Sequence, residues 1–258
     1  MGRLLLPDSH LALPRRKLFL PPARERGTIF IASPRCVQAA AGGPTSCKIT
    51  YQAVGEATLV ASGGSAVLQS GWAAGDITLC IVNANKAISS ISSGWTQIGN
   101  LTAGNTTAGY CGVWYRRMVS GDSAPVITTA SGGYFDAICA GFRGCIASGS
   151  PIDANSTDWT IGSSGSSKAL AVPGITTATN YDLVVMLMAA YSYHSGDTLT
   201  YNNGFSAILS WLDNNNQNEF FAGSQVLGTA GATGSTTLSS GNLYTKYFNG
   251  FTLALKTS

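Results

Sequence analysis

The chain is expected to fold as an all-β protein: an antiparallel jelly roll or β-sandwich with an internal two-fold sequence echo and an extended N-terminal arm. Three observations predict this. The first is self-similarity. The order acidic turn, apolar strand, Gly-aromatic step, aromatic strand, Thr-rich strand and small-aromatic strand occurs twice, offset by about 106 to 110 residues. The second is period-two alternation, clear in Tyr110–Met118 and Tyr134–Ile146, with no stretch keeping a 3.6-residue apolar period. The third is composition. Charged residues make up 10% of the chain, against about 25% in ordinary soluble domains, and 31 of 258 residues are glycine. Short strands separated by turn residues are the pattern of sandwiches and barrels.

Residues 1–47 read as a basic, Pro/Leu-rich extended arm and linker. Residues 1–48 carry eight Lys and Arg against Asp8 and Glu25, whereas residues 49–258 carry seven against ten acids. Pro7, Pro14, Pro21 and Pro22 exclude a continuous helix and favour extended backbone before each proline. Pro14–Leu20 imitates a twin-arginine export motif. Pro21–Arg26 interrupts the apolar stretch of about 7 to 15 residues that a signal needs. So many leucines are poorly suited to a free tail, and the basic residues add attraction for an acidic partner surface. Leu4, Leu5, Leu6, Arg15, Arg16, Leu18, Phe19, Leu20, Arg24 and Arg26 are therefore the expected partner-docking residues.

Residues 48–258 read as the jelly-roll domain, with copies at about 71–146 and 175–255. Ile49, Tyr51 and Ala57–Ala61 open it, and Ser62–Ser65 forms a turn. In the first copy Gly75-Asp76 leads into Ile77–Val82, followed by Gly94-Trp95, Tyr110–Val119, Val126–Thr129 and Tyr134–Ile146. In the second, Tyr181-Asp182 leads into Leu183–Met188, followed by Gly204-Phe205, Glu219–Leu227, Thr236–Leu238 and Tyr247–Leu255. Gly162–Ser167 reads as a spacer between the copies. Four strands twice make eight, the number in a jelly roll built from two Greek keys. The longest apolar run, Leu183–Ala190, suits one buried strand and falls well short of the roughly 18 residues of a bilayer span.

The search for chemistry finds little. His10 lies in the arm and His194 near an expected loop, so a multi-histidine metal site is not available. There is no nucleophile elbow and no Gly-rich phosphate loop. Carboxylates that could pair for glycoside hydrolysis include Asp136, Asp153, Asp158, Asp182, Asp197, Asp213 and Glu219. Asp76 and Asp182 hold equivalent turn positions, which is turn chemistry. Asp136 stands inside an alternating strand. Two oxygen-rich stretches, Asp213–Glu219 and Asp153, Asn155 and Asp158, invite a calcium reading but suit Asx turns better. Of Cys36, Cys47, Cys80, Cys111, Cys139 and Cys145, none forms a CxxC pair. Cys80, Cys111 and Cys139 sit in apolar strands as small hydrophobes. No cofactor and no metal are expected. Trp159, Trp211 and Tyr193 are the candidate glycan contacts, since jelly rolls also serve as lectins.

One family resemblance runs through Gly71-Trp72, Gly75-Asp76-Ile77-Thr78-Leu79, Gly94-Trp95-Thr96, Val113-Trp114-Tyr115-Arg116-Arg117, Gly121-Asp122 and Val126-Ile127-Thr128. This succession resembles jelly-roll virion structural proteins of tailed bacteriophages, of the fibre, appendage or head-decoration type. In the arm, Arg15-Arg16-Lys17-Leu18-Phe19 and Ile31-Ala32-Ser33-Pro34 are similar to the start of short phage proteins encoded near fibre genes. The resemblance covers about residues 71–146 and more weakly the second copy. It implies a virion component and carries over no catalytic residue.

The expected function is therefore that of a non-enzymatic virion protein, assembled in the host cytoplasm. It is expected to be a tail fibre or appendage subunit anchored by its arm to other tail or capsid subunits, and to be homo-oligomeric. The alternatives are a head decoration (cement) protein and a carbohydrate-binding receptor module that takes a host surface glycan. Neither nucleic acid nor membrane is an expected partner.

Overall fold

The computed structural model describes residues 46–99, 109–157, 160–163, 169–191, 199–212, 218–240 and 247–258. These hold seventeen strands and no helix. The first half contains β1 (Thr50–Ala61), β2 (Gly64–Ser65), β3 (Ile77–Ala84), β4 (Ile88–Ile91), β5 (Thr96–Gln97), β6 (Tyr110–Arg117), β7 (Val126–Thr129) and β8 (Tyr134–Arg143). Then come β9 (Ile152–Asn155), β10 (Thr160–Ser163), β11 (Ala169–Val172), β12 (Asp182–Tyr191) and β13 (Leu199–Tyr201). Last are β14 (Ser206–Leu212), β15 (Asn218–Leu227), β16 (Thr236–Ser240) and β17 (Tyr247–Leu255).

The protein is all-β with antiparallel sheets, as the alternation and composition predict. It has about twice the expected eight strands, because short strands such as β2, β4 and β5 carry too few residues to display a period. Gly162 and Ser163, read as spacer, belong to β10, and Asp153 and Asn155, read as a loop, belong to β9.

Four sheets result. One has the order β1-β8-β3-β6-β5 and another β10-β17-β12-β15-β14, with β9 added beside β17. Two three-stranded sheets have the orders β2-β7-β4 and β11-β16-β13. Glycine and asparagine supply the reversals. Between β13 and β14, Asn203 (φ 55°) and Gly204 (φ 81°) both take the left-handed conformation that a tight hairpin turn requires.

Alternation in the long strands does not separate core from solvent; it separates one core from another. On β3, Ile77, Leu79 and Ile81 face a central core shared with Leu183, Val185 and Leu187 of β12 and with Phe251, Leu253 and Leu255 of β17. The other face of β3, with Cys80, Val82 and Ala84, meets Ile88 and Ile127 of the sheet β2-β7-β4. On β12, Val184, Met186 and Met188 face Val172 of the sheet β11-β16-β13. The two large sheets thus pack against each other, and each carries a small sheet on its outer face. A strand covered on both sides must be apolar throughout, which accounts for the run Leu183–Ala190.

Trp114, Phe142, Leu183, Val185, Leu187, Phe251 and Leu253 are all buried, as expected from the sequence. Tyr51 packs edge-on against Phe142 with ring centroids 5.7 Å apart. Cys47, on the arm side of the expected boundary, is buried with Ile49 in the central core.

Candidate functional site

Burial of polar side chains is costly unless they are paired, so buried polar groups single out sites in an apolar body. Three such places stand out.

The first lies between the two large sheets. Asn83 on β3 is opposite Cys111 on β6 and Asp136 on β8, and all three are buried. The Cys111 thiol donates to Asn83 Oδ1 at 3.4 Å and accepts from Asn249 Nδ2 of β17 at 3.1 Å. This polar contact crosses from one large sheet to the other. Burial pushes the Cys111 thiol up to about 12. Asp136, the residue in an alternating strand, is fully buried at this level.

The second is a set of ion pairs. Asp76, next to β3, receives Arg143 Nε on Oδ1 at 2.8 Å and Nη2 on Oδ2 at 2.7 Å. The Ala73 N–H donates to the same Oδ2 at 2.8 Å. Burial alone would raise the Asp76 carboxyl, but these donors hold it below its usual value. Arg116 makes a similar two-pronged pair with Asp122, whose Oδ2 also takes the Val119 N–H at 2.8 Å. Forked Arg–carboxylate pairing fixes geometry as well as charge. It ties the Gly121-Asp122 turn to β6.

The third is a carboxyl pair. Asp182 opens β12 and is fully buried. Tyr181, just before it, has φ 63°. The Thr179 hydroxyl donates to Asp182 Oδ1 at 2.6 Å, and the Asp153 side chain of β9 interacts with the same carboxyl. Asp153 Oδ2 accepts the N–H groups of Ala178 and Thr179. Burial pushes Asp182 up to about 7, and Asp153 adds to the rise while Thr179 and Lys256 oppose it. Asp153 moves the other way, held low by its two backbone donors despite burial. Two carboxyls this close can share a proton.

Reading the sequence found Asp153 and Asp182 separately and did not pair them. The expected two-fold echo could have placed a cation near Asp182, since Lys256 follows β17 as Arg143 ends β8. Nothing local announced Asp153 as the partner of Asp182. Among the described residues no group of three or more His, Cys, Asp or Glu side chains is placed to hold a metal ion.

The expected docking residues Leu4, Leu5, Leu6, Arg15, Arg16, Leu18, Phe19, Leu20, Arg24 and Arg26 lie outside the described residues. Trp159 and Tyr193 do too, and of Trp211 only the backbone is described, opposite Phe220 in the β14–β15 pairing. Most of the Asp213–Glu219 stretch is likewise outside. No protein-family model, no curated protein and no solved structure matches this chain.

Proposed function

We propose that this chain is a non-enzymatic virion structural protein of the tailed-bacteriophage type, a fibre or appendage subunit whose body is two jelly rolls in tandem. The supporting observation is the nesting of strands. In the first half β1 pairs with β8, β2 with β7 and β3 with β6. In the second β10 pairs with β17, β11 with β16 and β12 with β15. This nesting supports reading each half as a long antiparallel ribbon doubled back on itself and wound up along a jelly-roll path. Adding nine to every strand number of one half reproduces the sheet orders of the other.

Two such units joined through their large sheets make a rigid block. The buried Asp76 and the part-buried Asp122 are tied into arginine pairs, which suits a scaffold. The basic, Leu-rich residues 1–45 supply the attachment, because ordering such a segment costs about 1 to 2 kcal/mol per residue and a neighbouring subunit offers the apolar surface to offset it.

The test is deletion of residues 2–45 followed by particle assembly and localisation by labelled electron microscopy. The expected result is a folded, soluble body absent from virions, with the full chain at the tail. Normal incorporation of the truncated body overturns the arm as anchor. Label on the head surface would favour a decoration protein. Glycan-array binding that Trp159→Ala and Trp211→Ala abolish would favour the receptor module.

A further inference from the structure

Asp182 Oδ2 is buried and has no donor. Asp153 is the neighbouring carboxyl, and an ionised carboxylate only accepts hydrogen bonds, so the two can bond to each other only if one of them carries a proton. A single shared proton supplies the missing donor and removes one of two like charges from a buried site.

In the first half the matching position is filled differently. Leu183 pairs with Leu255 as Ile77 pairs with Phe142. The acid before and the base after are therefore Asp182 and Lys256 in one half, Asp76 and Arg143 in the other. Arginine's fork satisfies both oxygens of Asp76. Lysine is a point charge without that fork. The charged groups bearing on Asp182 are Asp153 from β9 and Lys256 after β17. Across β15 its register partner is Leu227, and the adjacent Tyr181 packs toward the central core.

The pair sits where several thin elements meet. β9 is joined to β17 at only two register positions, Asn155 with Leu253 and Ile152 with Leu255. Asp153 ties β9 to the backbone of Ala178 and Thr179. Thr177 exchanges hydrogen bonds with Gly231, and Asn180 accepts from Ala230, so the same turn holds the β15–β16 connection. The Lys256 N–H donates to Pro151 O at 2.8 Å. One residue on, Thr257 Oγ1 accepts the N–H of Lys48 at 2.8 Å, where the arm joins the body.

We propose that Asp153 and Asp182 form a pH-sensitive latch, in which one shared proton holds β9 and the 177–182 turn closed beside the root of the arm. The sign follows from the raised carboxyl. Asp182 titrates at about 7 in the fold and near 4 when unfolded. Asp182's contribution is therefore complete below about pH 4 and is lost as pH rises through about 7, whereas that of Asp153, held low, is present above about pH 4 and lost as pH falls below its depressed value. Assembly or release of an arm at this corner would then respond to pH near neutrality. The latch itself operates whether or not the arm docks on a particle.

The test is amide hydrogen exchange on the full chain between about pH 5.5 and about pH 8.5, expressed as protection factors. Protection at residues 152–155 and 177–182 is expected to fall by up to about tenfold per pH unit as pH rises from about 5.5 to about 7, and to level off above that, while the middle of β12 stays protected. Asp182→Asn replaces the protonated acid with a permanent donor and should make protection at this corner independent of pH. Unchanged wild-type protection across the range overturns the latch, and so does Asp182→Asn behaving as wild type. So does protection that follows added calcium, and is lost in chelator, at constant pH. A readout that needs no variant is the infrared C=O band of a protonated carboxyl. It should be present in the wild-type protein at about pH 5.5 and vanish through neutrality; its absence at the lower pH rejects the proposal.

Discussion

Arg143 holds Asp76 by both carboxylate oxygens, at 2.8 and 2.7 Å, from the far end of a neighbouring strand. Asp76 is 3% exposed and the arginine side chain 46% exposed, so the pair is half in water. Arg143→Met should destabilise the body by about 1–3 kcal/mol, chiefly by leaving a buried carboxylate with one backbone donor. Asp76 and Asp122 titrate below their ordinary values because of their arginines and backbone donors. Their stabilisation is present above the unfolded value near 4 and disappears as pH falls through the depressed folded values. Urea unfolding of wild type and Arg143→Met at about pH 3 and about pH 7 should show the difference between them shrinking in acid. An equal difference at both values would mean that the guanidinium acts by packing alone.

Phe251 joins the two halves. It belongs to β17, is fully buried in the central core, and its ring lies against Gly99 of the first half, where an added Cβ would stand 2.7 Å from it. Phe251→Ala should cost about 3–5 kcal/mol. Because the ring serves both halves, unfolding should remain a single transition shifted to lower denaturant. A loss under about 1 kcal/mol would mean that the two large sheets do not depend on this contact.

Gly55 marks a close backbone crossing. A Cβ there would stand 2.2 Å from Val67 O and 2.4 Å from Leu68 C, which are main-chain atoms that cannot rotate away. Gly55→Ala should destabilise by about 1–3 kcal/mol even though alanine is otherwise the mildest change. Gly121→Ala tests a different effect, since its φ of 88° is strained for alanine but nothing crowds its Cβ. Thermal melts of the two variants separate crowding from backbone strain.

Cys47, Cys80, Cys111, Cys139 and Cys145 are buried and none is in a disulfide. Burial raises Cys111 and Cys145 to about 12, and Cys80 is raised well above the ordinary range, with Cys139 opposite it on β8 adding to the effect. In a Cys36→Ser variant a water-soluble thiol reagent should therefore label the native protein very slowly and all five cysteines on denaturation. Fast labelling at neutral pH would show that a core opens readily.

Much of the fold class was legible from residues alone. Apolar runs and alternation located the strands because each feature is local: β17 lies where Tyr247–Leu255 was read, and β3 and β12 where Ile77–Val82 and Leu183–Met188 were. Even the double burial of β12 was latent in its uninterrupted run of apolar residues. Sequence alone determined that this is an antiparallel β protein with few charges and apolar strands. What only the tertiary structure decided is which core each face meets, because Leu79 and Cys80 look alike to a periodicity but pack into different cores. It also decided that Asp153, 29 residues before Asp182, stands beside it. Strand pairing brings such residues together across any chain length, and the cost of burying their charge exists only once water has been removed.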